Sequence, residues 1–444
     1  MRQFLCFLTL SLAFAAAAVA PGEWQIYPVY APPVERVVET PRHVFTLAGG
    51  SLFGYDKIDG VHSSYTRDNL LSGTHITGIF YNPADDELLV AYADGNLDLL
   101  DCRGATPAVT NLPDIANAAS ITSSRTINDV AFRGSSIDIA ADFGLVSIDA
   151  ASGRTQGYKF LPSPVCGIAA TPEGLLIASR DSLYTISAPV SARTELVPLG
   201  ICAPEVVEML PAGNDRYVLR GTKPGHILSV ADLGGDKPLL RSAGGYAVCQ
   251  PLIASADGKL RFAADGFIYE FSDSGMPVRL SRLPDFAAGK SIGCASGLGS
   301  VWFAGREGIG NFALSGGNTT ILAEPYRPEA LCVDRVAYII PSADSRRIYL
   351  TNLGPTNYRG GLSGDFIDQP QATTLLDLSG NSMTDVTAAP APLSTTRLAE
   401  DPDDPRTYWL GTGNDGLCRI TDGTLSGRYD TSNSPLPAAW GVRV

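Results

Sequence analysis

Four histidines, His43, His62, His75 and His226, head the residues that could bind a metal or carry a proton. No two lie within ten residues of one another, and neither HExxH nor HxH occurs. A metal site would need distant segments to bring them together. No GxSxG elbow marks a nucleophile. The run Asp94-Gly95-Asn96-Leu97-Asp98 has the acidic spacing of a calcium loop, but it lacks the glycine at its sixth position and the distal glutamate. Asp94-Gly95 therefore reads as a tight hairpin turn. NPADDE (82–87) and DPDDP (401–405) read as solvated acidic loops, with a surface calcium ion as the alternative. GxGxDG (411–416) is followed by CRIT, a strand pattern, and a phosphate cradle needs a helix there. Arg346-Arg347 is an isolated basic pair. Tyr326 and Tyr358 sit near loop tips and could stack on sugars or pack structurally. No catalytic residue, cofactor-binding residue or metal ligand is assigned.

The cysteines and the N-terminus bear on compartment. MRQFLCFLTLSLAFAAAAVA (1–20) has an arginine, an apolar stretch from Phe4 to Phe14 and small residues, which is the layout of a secretory signal peptide rather than a membrane anchor. Cleavage is expected between Ala16 and Ala20. Cys6 is misplaced for a lipoprotein. Seven cysteines remain, Cys102, Cys166, Cys202, Cys249, Cys294, Cys332 and Cys418. An odd count leaves at least one unpaired within the chain, and the pairing stays open. Cys166, Cys249 and Cys294 lie in apolar contexts and read as small hydrophobes on buried strands. Without Arg2, 32 basic residues face 46 acidic ones. Such an acidic surface excludes nucleic acid as a partner class.

The elements that position these residues repeat. An apolar strand ends in small residues, turns at Gly, Asp or Glu, and returns as a second strand. The turns fall at Gly50, Asp94, Asp142, Asp181, Thr222, Asp265 and Glu307, with steps of 44, 48, 39, 41, 43 and 42 residues. That period is the length of a four-stranded propeller blade. Runs such as SVWFAG (300–305) and LRFAAD (260–265) are continuously apolar, as inner strands packed on both faces should be. TQGYKFL (155–161) alternates, as an outer strand should. No amphipathic helix of three turns is expected; 116–120 tolerates helix but is too short.

The expected fold is all-β: a seven-bladed β-propeller (21–328) followed by the first blades of a second, incomplete propeller (329–444). Blades are expected at 34–70, 75–118, 125–162, 165–200, 203–245, 247–287 and 290–328. Residues 23–30 either add an outer strand to the last blade and fasten the ring, or lie on the surface as a linker. Residues 330–444 hold about two further blades, which cannot close a ring and expose a sheet edge. WGVRV (440–444) looks like the first strand of a further blade. The chain 1–444 is therefore expected to be a fragment or truncated reading frame.

WQIYPVY, VFTLAGGSLFGYDK, SGTHITGIFYNPADDELLVAYADGNLDLLD and NLGPTNYRGG occur in that order along the chain. Together they resemble the N-terminal region of the PorZ family, surface β-propeller components of the Bacteroidetes type IX secretion system. The unit NDGLCRITDG…YDTSNSPLP is similar to the widespread repeats of two-component-regulator sensor propellers. The first resemblance implies two consecutive seven-bladed propellers, a small C-terminal β-domain, and an outer-membrane surface complex with a sortase. That complex handles secreted cargo and anionic lipopolysaccharide, and the family member is not its catalyst. The C-terminal domain is missing from this sequence. The implied function is a non-enzymatic exported scaffold or binding subunit at the periplasm or cell surface. Its implied partners are sortase-complex proteins and lipopolysaccharide or another glycan. The alternatives are a ligand-sensing propeller of a hybrid two-component regulator and a polysaccharide-active propeller enzyme with carboxylates around its axis.

Overall fold

A computed structural model describes residues 25–31, 34–332 and 336–438, except 181, 204, 222–226, 236, 256, 316–317, 337, 343–344, 352–371, 381, 388–394, 405 and 413–415. The signal peptide, His226, Tyr358, NLGPTNYRGG, WGVRV and the turn positions Asp181 and Thr222 lie outside the described residues, as do the middle three residues, 413–415, of GxGxDG. The rest is built from antiparallel four-stranded sheets whose strands follow one another in sequence. Two compact units result: Pro32–Pro328, and residues of 1–31 grouped with Glu329–Val444.

In the larger unit seven such sheets succeed one another, at 34–65, 76–112, 127–160, 165–202, 206–245, 253–282 and 291–326. Strand periodicity explains how they pack. Successive side chains on a strand point to opposite faces. Leu88 and Val90 of the second sheet therefore join Phe45, Leu47 and Leu52 of the first. Leu89 and Ala91 turn the other way, onto Val130, Ile137 and Ile139 of the third. In the fifth sheet Tyr217 and Leu219 face the fourth, while Val218 faces the sixth. Both faces are apolar, so the second strands read as unbroken hydrophobic runs. His43–Ala48 is buried along its whole length. The outermost strands face water on one side; Pro277–Arg282 is mostly exposed.

Turn chemistry closes the hairpins. Asp265 and Gly266 both have positive φ, 47° and 81°, between the paired residues Ala264 and Phe267. Two left-handed residues make the turn whose twist matches the strands, and Asp-Gly supports it. The one helix among the described residues is the single turn Asp114–Asn117. The seventh sheet touches the first: Ser291 Oγ donates to the Val34 carbonyl at 2.7 Å, and Glu39 accepts the Ser296 N–H at 2.9 Å and its hydroxyl at 2.7 Å.

The smaller unit holds two sheets, at 338–385 and 395–429. Tyr349, Leu398, Tyr408, Leu410, Cys418 and Ile420 form its core, and Arg347 pairs with Glu400 at 2.8 Å. Residues 25–31 belong to this unit. Val29 bridges to Leu331, and the Tyr30 N–H donates to the Leu331 carbonyl at 2.7 Å. This differs from both expectations for 23–30. An aromatic side chain fixes the segment here, since Tyr30 is fully buried.

Candidate functional site: an axial cavity

The first strands of the seven sheets share one cavity of about 350 Å³. They are Val34–Glu39, Ile76–Asn82, Ile127–Arg133, Val165–Thr171, Val206–Pro211, Ile253–Ala254 and Ser291–Gly293. Each is the innermost strand of its sheet. Most of the wall is apolar, from Val37, Val130, Ile168, Met209 and Leu252.

A recurrent bulge places the charges. In each of the first five sheets the inner strand has one extra residue near its start: Glu35, Thr77, Asn128, Cys166 and Val207. A bulge bends its strand and re-aims the next side chain. The residues that follow are Arg36, Gly78, Asp129, Gly167 and Glu208. Three of them bring charge to the axis.

Glu208 is 3% exposed. Its carboxylate meets Arg36 Nη2 at 2.5 Å and Arg220 Nε at 2.8 Å, and it accepts the Leu252 N–H at 2.9 Å. Burial pushes its pKa up, but the two guanidiniums and the N–H outweigh burial and hold it below the usual carboxylate range. Asp129 is 5% exposed. It accepts the N–H groups of Ile168 at 3.0 Å and Val130 at 2.9 Å. Burial dominates there, aided by the Glu208 charge, and raises the carboxyl to about 8 despite the two N–H donors and Arg36. These groups act as staples across the axis: Arg36 comes from the first sheet, Asp129 reaches the fourth, and Glu208 ties the fifth to the first and to the segment entering the sixth. Glycosidic hydrolysis needs one carboxyl free to donate a proton and another free to attack or activate water. Here the oxygens of both accept hydrogen bonds from the protein.

The other residues singled out from the sequence do not assemble. His43 is buried with Nε2 2.7 Å from the Gly104 carbonyl. His62 stacks on Tyr326, ring centroids 3.8 Å apart, and His75 is exposed with φ 61°. Tyr326 is thereby engaged in packing. Asp94 accepts the Asn96 N–H at 2.9 Å, as a turn aspartate does. Asp98 is buried and accepts bonds from Ser72, Tyr92 and Asn111. In the acidic loops, Asn82 caps Asp85, while Asp401 accepts Trp409 Nε1 at 3.0 Å. Among the described residues no group of three or more His, Cys, Asp or Glu is placed to hold a metal ion. Cys102, Cys249, Cys294, Cys332 and Cys418 are buried. Burial raises Cys249 and Cys294 to about 12, which makes them unreactive. Cys166 differs from the expectation: it is half-buried, because it is the extra residue of a bulge. No helix among the described residues is long and apolar enough to cross a membrane.

Asp129, Glu208 and Arg36 were not singled out in the sequence. The available signal was a charge inside an apolar inner strand, as in INDVAF (127–132) and VVEML (206–210).

Successive four-stranded antiparallel sheets sharing an axial cavity define a β-propeller protein. Residues 44–192 match the sequence model of the PorZ N-terminal β-propeller domain of the type IX secretion system. The chain is thus PorZ-like. It is similar in structure to PorZ, an essential bacterial surface component of the type-IX secretion system of human oral-microbiomic Porphyromonas gingivalis, with 21% identity and a TM-score of 0.70. That match covers 94% of this chain and 55% of the other, so this chain spans about half the length of that PorZ. Weaker likenesses are to the extracellular domain of the putative hybrid two component system BT4673 from B. thetaiotaomicron (12% identity, TM-score 0.40, 94% of this chain and 63% of that one) and to the WD40 β-propeller domain of Doa1 (13%, 0.46, 63% and 90%). No curated protein matches.

Proposed function

We propose that the protein is an exported, non-enzymatic β-propeller that serves as a scaffold or binding subunit of a type IX secretion complex at the cell surface. In this reading residues 1–20 are a signal peptide, residues 21–328 form a closed seven-bladed ring, and 329–444 form the first blades of a second propeller. Its partners are proteins of a sortase complex, and its ligand is anionic lipopolysaccharide or another glycan. The match to the PorZ domain over residues 44–192 carries the reading. The axial Glu208 supports it, since its carboxylate is held between two arginines.

The test is co-purification from outer membranes of the source bacterium with an antibody to the protein. Recovery with sortase-complex proteins is expected. A protein found only free in the periplasm, in cells whose sortase complex is intact, sinks the proposal. Turnover of any polysaccharide in a glycan panel would instead support the enzyme alternative.

A further inference from the structure

The axial cavity is amphipathic along its length. Arg36, Asp129 and Glu208 each follow the bulge of their strand, so their charges share one level of the axis. Val37, Val130 and Met209 come next on the same strands, and all three line the cavity. Charge gathers at one level and hydrocarbon beyond it.

The charges at that level do not balance. Four ionisable residues line the cavity: Arg36, Glu39, Asp129 and Glu208. Arg220 neutralises Glu208 at 2.8 Å, and Lys57 neutralises Glu39 at 3.1 Å. Asp129, pushed up to about 8 by burial, is uncharged at neutral pH. The Arg36 guanidinium is left as the surplus charge. Among the described residues its one hydrogen bond runs from Nη2 to Glu208, and its side chain is 25% exposed. A guanidinium has five N–H donors, so most of them remain for another acceptor. A cation beside an apolar wall attracts an anion more strongly than one in open water does.

We propose that the axial cavity binds a small organic monocarboxylate with an apolar body. Its carboxylate accepts the Arg36 N–H groups that Glu208 leaves unused, and its hydrocarbon lies against Val130, Met209 and Leu252. The volume of about 350 Å³ admits roughly a dozen non-hydrogen atoms. A sugar acid is a poorer fit, because this wall leaves its hydroxyls without partners. The proposal stands apart from the type IX reading and is tested on the isolated protein.

Isothermal titration calorimetry of the full chain with 3-phenylpropanoate is the test. The controls are 3-phenylpropan-1-ol, which lacks the charge, 3-phenylpropylammonium, which reverses it, and glucuronate, which lacks the apolar body. Saturable binding is expected for the phenylpropanoate alone. Ala170→Phe fills a half-buried position of the wall without touching a charge, and should weaken binding at least tenfold. Arg36→Gln should also weaken it at least tenfold, and Ala170→Phe carries the test if that variant does not fold. Between pH 6 and pH 9 the ligand stays ionised, while Asp129, beside Arg36 and Glu208, acquires a charge that repels it. Affinity should therefore fall about tenfold in the parent and less than twofold in Asp129→Asn. Alcohol or glucuronate binding as tightly as the acid, no effect of Ala170→Phe, or no saturable binding up to about 10 mM overturns the proposal. So does a loss of affinity with pH that Asp129→Asn retains.

Discussion

Asp129 gains a proton on folding at neutral pH. An unfolded aspartate titrates near 3.9, whereas the folded carboxyl titrates at about 8. Between these values the native state binds more protons than the unfolded state, so stability falls as pH rises, by up to about 1.4 kcal/mol per pH unit. Above about pH 8 the whole penalty is present. Thermal melts from pH 5 to pH 9 should show a falling midpoint, and Asp129→Asn should flatten the fall. A variant that melts in parallel with the parent would refute the assignment. Glu208 has the opposite sign. Its lowered pKa adds stability that is present above the ordinary glutamate range and lost as acid protonates it. Glu208→Gln leaves Arg36 and Arg220 without their anion, at an expected cost of about 3 kcal/mol in urea unfolding. These residues were poorly legible in the sequence. Arg36 and Glu208 are 172 positions apart, and only the bulges aim both at the axis.

Gly144 and Gly308 begin the third strand of their sheets, and Gly416 immediately precedes one. All three have positive φ, and a Cβ would lie 2.1 to 2.2 Å from a carbonyl of the outermost strand: Lys159, Tyr326 and Tyr429 respectively. Glycine is required there by close approach as well as by backbone conformation. Gly144→Ala should push the third and fourth strands of its sheet apart and cost about 2–4 kcal/mol. Chemical denaturation measures the cost, and an unchanged midpoint would show that the strands yield without strain. This level was highly legible. Asp-Phe-Gly at 142–144, Glu-Gly at 307–308 and Asp-Gly at 265–266 mark turns by local chemistry, and the two-faced apolar runs mark strands, because both signals act over a few neighbouring residues. The bulges left no such mark. The extra residues Glu35, Thr77, Asn128, Cys166 and Val207 share no side-chain chemistry, because a bulge is a property of pairing.

At the scale of the larger unit, contact between its first and last sheets rests on side chains. Among the described residues each sheet is made of consecutive strands, and no strand from one end of the unit completes a sheet at the other. The contact uses Glu39 with Ser296, Ser291 with Val34, and Gly293 against Val37. Lys57 meets Glu39 at 3.1 Å. Glu39→Ala should raise hydrogen exchange together in Val34–Glu39 and Ser291–Gly293 while leaving Val165–Thr171 protected. Uniform change across all three strands would mean that the seam is no weaker than any other junction. The sequence carried little of this, for Ser291 and Ser296 look like ordinary loop or strand serines until the first sheet lies against them. Contiguous sheets also make the chain divisible. The link at 161–164 joins the third and fourth sheets, and a break there cuts no strand ladder. Two polypeptides, 1–162 and 163–444, would each carry whole sheets with a matching apolar face exposed. Co-expressed, they should find each other and rebuild the parent, and the protein would become a two-part system whose assembly can be switched by whatever brings the halves together.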